Sequence, residues 1–220
     1  MATKTEGGAA VLEAPTSGAI AIEIPKIDVR RIEIKLIGDS PLICHAWSEK
    51  AKKEILDKQM KKAKTAKEAK DPWRDYVDSM YWLTDKPVKP SPEDIAAATF
   101  GFPCVAFKAA AVGACRFSDG MKMTFARGAF HVDGEFATIV GSPRMREDMV
   151  RVGMGVADIR YRGEFLDWHT TLRVSYNASA ISPEQIINLL NHAGFGVGVG
   201  EWRADKDGSY GRFHVAAHGE

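Results

Sequence analysis

The chain is poor in cysteine. Its 220 residues include three, Cys44, Cys104 and Cys115. They form no CxxC pair and leave an odd thiol, which argues against a structural zinc site and a disulfide framework. Long apolar runs are missing too, and nothing approaches the length of a bilayer span. The N-terminus lacks the basic-then-apolar order of a signal peptide, so the sequence predicts a cytoplasmic protein. Neither sign of charge dominates: 30 Lys and Arg stand against 29 Asp and Glu, for a formal net charge of +1. There is no GxxxxGK[ST] loop, which excludes a nucleotide-hydrolysing machine of that type. No HExxH motif occurs, and His131, His169, His192, His214 and His218 show no pair at helical metal-ligand spacing. No metal and no cofactor is expected.

What the chain does have is a concentration of glycine. Gly194, Gly196, Gly198 and Gly200 fall at every second position, followed by Trp202, Arg203 and a Tyr210–Gly211–Arg212–Phe213 close. Without a Cβ the backbone can take positive φ and approach a partner closely, and its N–H groups can line a concave, anion-attracting surface. The same composition suits a flexible hairpin loop. A dinucleotide fold is excluded by element order, because that fingerprint needs strand, glycines, then helix. Here the helix precedes the glycines and a strand-like run follows.

Residues 1–18 are small and polar without a sustained period, and read as a disordered arm. Val29–Ile37 alternates Ile32, Ile34 and Leu36 with Arg31, Glu33 and Lys35, the pattern of a half-buried strand with a charged outer face. From Ala46 to Lys70 the chain is helical and carries nine lysines against four acids. Such a face is either simply solvated or a contact for a phosphate backbone. Asp71–Pro72 restarts a helix through Trp73, Tyr76 and Met80, and Lys86–Pro92 is a proline-studded loop. Cys104–Arg116 reads as an alanine-rich helix whose only charges are Lys108 and Arg116, placed for phosphates or for snorkelling at a core edge.

Met121–Val140 reads as strands around a hairpin turning at Asp133–Gly134. Ser142–Val152, with three arginines, reads as an exposed finger or short helix. Ile159–Arg162 and Trp168–Tyr176 are further strands. Ser182–Ala193 is the best-signalled helix: Ser182 and Gln185 make a capping box, Pro183 sits in the first turn, and Gly194 is placed to stop it. A last strand is predicted at Gly211–Val215. This order suits an α+β, ferredoxin-like or RRM-like βαββαβ antiparallel sheet with a helical insertion after the first strand. Residues 19–220 would form one domain, with 46–100 as the lysine-rich insertion.

The segment Ala193–Phe213 (AGFGVGVGEWRADKDGSYGRF) resembles the glycine-rich signature of the RAMP superfamily, the CRISPR-associated RNA-binding proteins. Arg160–Trp168 (RYRGEFLDW), followed by strand and helix, is similar to that family as well. The resemblance implies a modified RRM-like fold. It also implies single-stranded nucleic acid binding, RNA before DNA, by a non-catalytic protein whose copies line up along the strand, beside other CRISPR-complex subunits. On that reading the binding residues are Gly196, Gly198 and Gly200, with Arg203 and Arg212 around the turn and Lys108 and Arg116 on the sheet-packing helix. Lys52, Lys53, Lys61, Arg144, Arg146 and Arg151 are second in rank. Repeat-processing members of the superfamily cut RNA without metal, often with a histidine near the first helix. His45 in Ile43–Trp47 is the candidate for such a general acid/base. A phage-encoded relative that keeps the fold as a CRISPR-interacting or structural protein is the remaining alternative.

Overall fold

The computed structural model of the protein describes residues 24, 26–62, 69–153, 155–217 and 219, with the backbone alone at Lys50 and Val152. The arm expected over residues 1–18 lies outside the described residues. In chain order the strands and helices are β1 (Val29–Gly38), β2 (Leu42–Ile43), α1 (Glu49–Gln59), α2 (Pro72–Asp78), β3 (Tyr81–Trp82), α3 (Pro92–Ala97), β4 (Phe100–Pro103) and α4 (Cys104–Ala114). There follow α5 (Met123–Ala129), β5 (Phe130–Val132), β6 (Phe136–Val140), β7 (Pro143–Val152), β8 (Val156–Phe165), β9 (His169–Asn177), α6 (Pro183–Gly196) and β10 (Phe213–Val215). The fold is α+β with antiparallel sheets.

β1 and β9 pair along nearly their full length, from Val29 opposite Asn177 to Ile37 opposite His169. Alternation puts Ile34 and Leu36 with Leu172, Val174 and Tyr176 on the buried face, while Glu33, Lys35, Thr171 and Arg173 face water. β10 adds to the outer edge of β1, and β6, β4 and β3 extend the sheet beyond β9. Helices α4 and α6 pack together against the apolar side. Phe107 of α4 meets the Phe213 ring at 5.9 Å, and Trp168 meets it at 6.4 Å. Burying each such ring stabilises by about 1.5–3 kcal/mol. A second sheet, β2–β8–β7, carries the long β7–β8 hairpin.

Helix α6 starts as its sequence dictates. Ser182 Oγ accepts from Gln185 N, and the Ser182 N–H donates to Gln185 Oε1 at 2.9 Å. It does not stop at Gly194, however, and runs on to Gly196. Gly194 is a contact residue: a Cβ there would lie 1.7 Å from the Phe213 carbonyl oxygen, so helix and β10 touch backbone to backbone.

Three further expectations are corrected. Phe130–Val132 and Phe136–Val140 do not pair with each other across Asp133–Gly134. Both pair with β9, end to end, β5 on residues 174–176 and β6 on residues 169–170. The turn residues bulge out of a broken strand, with the Asp133 N–H still bonded to the Arg173 carbonyl at 2.8 Å. Ser142–Val152 is neither finger nor helix, because Pro143–Val152 is strand β7, in register with β8 over its whole length. The lysine-rich helix is shorter than 46–70: α1 covers Glu49–Gln59, capped by Ser48, and residues 63–68 lie outside the described set. Among the described residues no helix is long and apolar enough to cross a membrane.

Candidate nucleic-acid interface

The glycine stretch leaves α6 and threads between β2 and the segment entering β10. The Val197 and Gly198 N–H groups donate to the Ala193 carbonyl at 3.0 and 2.8 Å, Val199 N–H to Gly211 at 2.9 Å, and Glu201 N–H to Ile43 at 3.0 Å. Gly200 sits at φ +80°, and a Cβ there would come 2.6 Å from the Ile43 carbonyl oxygen. Gly196 is covered by the Phe117 ring, and Gly198 at φ +71° faces the Tyr210 and Gly211 carbonyls. An open row of amides at Gly196, Gly198 and Gly200 is thereby corrected. These positions serve close packing, and their effect is to deliver Glu201 to a fixed place.

That place is beside His45. β2 is fully buried, Cys44 N–H bonds the Gly163 carbonyl at 2.9 Å, and Ala46 N–H bonds the Ser79 carbonyl at 2.8 Å, so the loop after β2 is pinned at both sides. His45 Nδ1 lies 2.8 Å from Glu201 Oε1. A carboxylate can only accept, so Nδ1 carries the proton and Nε2 is left for the surroundings. The hydrogen bond from His45, followed by the charge of Arg162, holds the Glu201 carboxyl below its ordinary value, while partial burial opposes them. Arg162, 3% exposed, reaches Asp148 at 3.3 Å and Glu201 at 3.9 Å. Its Nε has no hydrogen-bond partner among the described residues.

His45 lines an open cleft of about 450 Å³. Ser48, Ala51 and Glu54 of the α1 side form one wall, and Asp158, Arg160, Tyr161 and Arg162 of β8 the other, with Asp75, Asp78 and Ser79 between. Lys70 bridges to Asp158 at 2.7 Å. Trp47, at the neck of this cleft in sequence, is 67% exposed.

The other anticipated cations divide into two sets. Arg144 and Arg146 both bond the buried Glu164 at 2.8 Å, and Arg146 also lies over the Tyr210 ring at 4.6 Å. Arg116 pairs with Asp205, and Arg203 donates to the Gly200 carbonyl at 3.1 Å and approaches Asp205 at 3.9 Å. Lys108 donates to the Arg127 carbonyl at 3.0 Å and stands 2.9 Å from His131 Nδ1; partial burial lowers its pKa. Each cation of this first set already has a partner within the fold, while the Arg144 and Arg116 side chains stay 59% and 49% exposed. The second set is free to meet an external anion. Lys53, Lys61 and Arg151 are exposed and have no partner among the described residues, and Lys52 holds only the exposed Glu49 at 2.6 Å, a pair worth little. Arg212 stands apart from both sets, half-buried, with its Nε buried and without a hydrogen-bond partner among the described residues. Sequence reasoning missed Glu201, Arg162 and Trp47.

No protein-family model matches the chain and no curated protein matches its sequence. Among solved structures it is similar to the crystal structure of Cmr6 from Pyrococcus furiosus, at 10% identity and a TM-score of 0.44, over 87% of this chain and 100% of that one. A likeness of that size decides nothing about chemistry.

Proposed function

We propose that the protein binds single-stranded nucleic acid, RNA before DNA, without cutting it, and assembles in copies along the strand as RAMP-type CRISPR-associated proteins do. The observation that carries the reading is the open cleft beside His45, where Lys70, Arg160 and Arg162 stand among Glu54, Asp75, Asp78 and Asp158, with Lys53, Lys61 and Arg151 exposed and unpartnered among the described residues outside its lining. Exposed cations bind a phosphate backbone without regard to sequence. Trp47, exposed beside it, offers a face on which a base can stack. The strand order β10–β1–β9–β6, with α4 and α6 on one face, supports a ferredoxin-like or RRM-like core between Val29 and Val215, within a proposed single domain of residues 19–220 that carries an insertion over 46–100. The likeness of Ala193–Phe213 to the RAMP signature is the ground for RNA and for CRISPR-complex partners.

The test is fluorescence anisotropy with labelled oligouridylate and oligodeoxythymidylate across a salt series. The expected result is tighter binding of RNA, with log affinity falling by about 0.7 per log unit of salt for each phosphate neutralised. A Lys53→Glu, Lys61→Glu double variant should bind more weakly and with a shallower salt slope. Failure of the wild-type protein to bind either oligonucleotide at low salt sinks the proposal.

One observation favours a second reading, a metal-independent endoribonuclease. Glu201 orients His45 at 2.8 Å, as a general base is oriented by a carboxylate. Incubation of hairpin RNA with EDTA present, for wild type and His45→Ala, decides between them. Cleavage that disappears in the variant establishes the enzyme, and intact RNA in both leaves the binder.

A further inference from the structure

Beyond the cleft, on the other side of the glycine turn, three large rings stand in water. Phe195 is 76% exposed, Phe117 53% and Trp202 40%. Clustered exposed apolar surface of this kind marks an interaction site. A series of contacts joins it to the cleft. His45 lines the cleft and bonds Glu201; the next residue is Trp202, and the next is Arg203. Arg203 and Arg116 share the Asp205 carboxylate. The Arg116 guanidinium lies over the Phe117 ring at 5.4 Å, and that ring lies over Gly196, next to Phe195. One carboxylate between two guanidiniums leaves a positive charge unbalanced, while the exposed Lys206 and Asp207 cancel. Trp202 also holds φ +53°, a left-handed conformation that a tryptophan rarely adopts, fixed by the Tyr210 N–H on the Trp202 carbonyl at 3.0 Å. The loop thus spends conformational freedom to keep this ring where it is.

We propose that Trp202, Phe117 and Phe195 continue the strand path out of the cleft, as stacking platforms for bases of the single-stranded nucleic acid whose phosphates the cleft side holds. The inference rests on the function proposed above. Rings set on either side of the Arg203–Asp205–Arg116 group offer stacking faces beside cationic charge, the combination that holds an unpaired strand, and His45 links them to the cleft through Glu201.

The experiment measures affinity for labelled oligouridylate of about 5 and about 20 nucleotides, lengths bracketing the usual span of one binding domain. Wild type is compared with Phe195→Ala, whose ring has little packing to lose, and Trp202→Gly, which removes the ring and relieves the left-handed backbone. The longer RNA is expected to bind each variant about 5-fold or more weaker, and the shorter RNA to bind all three proteins alike within about 2-fold. Unchanged affinity for the longer RNA in both variants overturns the inference, and so does equal weakening for both lengths. A shift in the sedimentation of nucleic-acid-free protein on ring removal, with RNA affinity unchanged, also overturns it and assigns the rings to a protein partner. Wild type that binds neither length removes the cleft reading and this extension together.

Discussion

The Glu164 carboxylate holds the Arg146 guanidinium at 2.8 Å from a side chain only 2% exposed, and Arg144 takes its other oxygen at the same distance. The acid is desolvated and two cations neutralise it. Removing the acid takes away Arg144's partner and leaves Arg146 with Asp148 alone as its acid, and removing one cation still leaves Glu164 the other. Glu164→Ala is expected to destabilise the fold by about 3–5 kcal/mol in urea denaturation. Arg144→Ala, at a side chain 59% exposed, should cost less than about 1 kcal/mol. Equal costs would mean that the carboxylate is not the centre of this network.

Acid should loosen the His45–Glu201 contact. The folded-state pKa of Glu201 lies below its ordinary 4.5, so the stabilisation it contributes is complete above that value. It is lost as pH falls through 4.5 toward the depressed folded value. Thermal melts across the acid range should show Glu201→Gln losing less stability with falling pH than wild type. Parallel curves would place the acid sensitivity elsewhere.

Glycine substitutions should separate by location. Gly194→Ala sets a methyl group 1.7 Å from the Phe213 carbonyl oxygen and should cost about 3 kcal/mol or prevent folding. Gly128 in α5 has nothing within 4 Å of an added Cβ, and Gly128→Ala should stabilise by about 0.5 kcal/mol. Chemical denaturation of the two variants checks both signs.

The thiols should be silent in the folded protein. Cys44, Cys104 and Cys115 are all buried, and desolvation pushes Cys44 up to about 12. Alkylation by iodoacetamide at neutral pH should label none of the three until denaturant is added. Rapid labelling of Cys44 in native protein would contradict its burial.

How much of this was legible in the chain follows the range of each interaction. Helix α6 could be read from Ser182 and Gln185, three residues apart, because both partners of its cap lie in one turn. Asp133–Gly134 carries a local turn signal, but strand pairing is not local: Phe130 finds Tyr176 and Ile139 finds Thr170. Arg144 and Arg146 were legible as cations but not as spent ones. The clue was their period of two with Asp148, which belongs to a strand face, and the cross-strand Glu164 follows only from register. His45 stands out in the sequence and its partner does not, since Glu201 lies 156 residues away.

Strand β7 ends the small sheet, pairing with β8 on one side and with no strand among the described residues on the other. The outward-facing backbone groups of such an edge would ordinarily recruit a neighbouring molecule, edge against edge. Arg144, Arg146, Glu147, Asp148 and Arg151 stud that border with charge, the device by which soluble proteins stay clear of runaway aggregation. Charge along this border disfavours strand-to-strand pairing of copies through the β7–β8 hairpin.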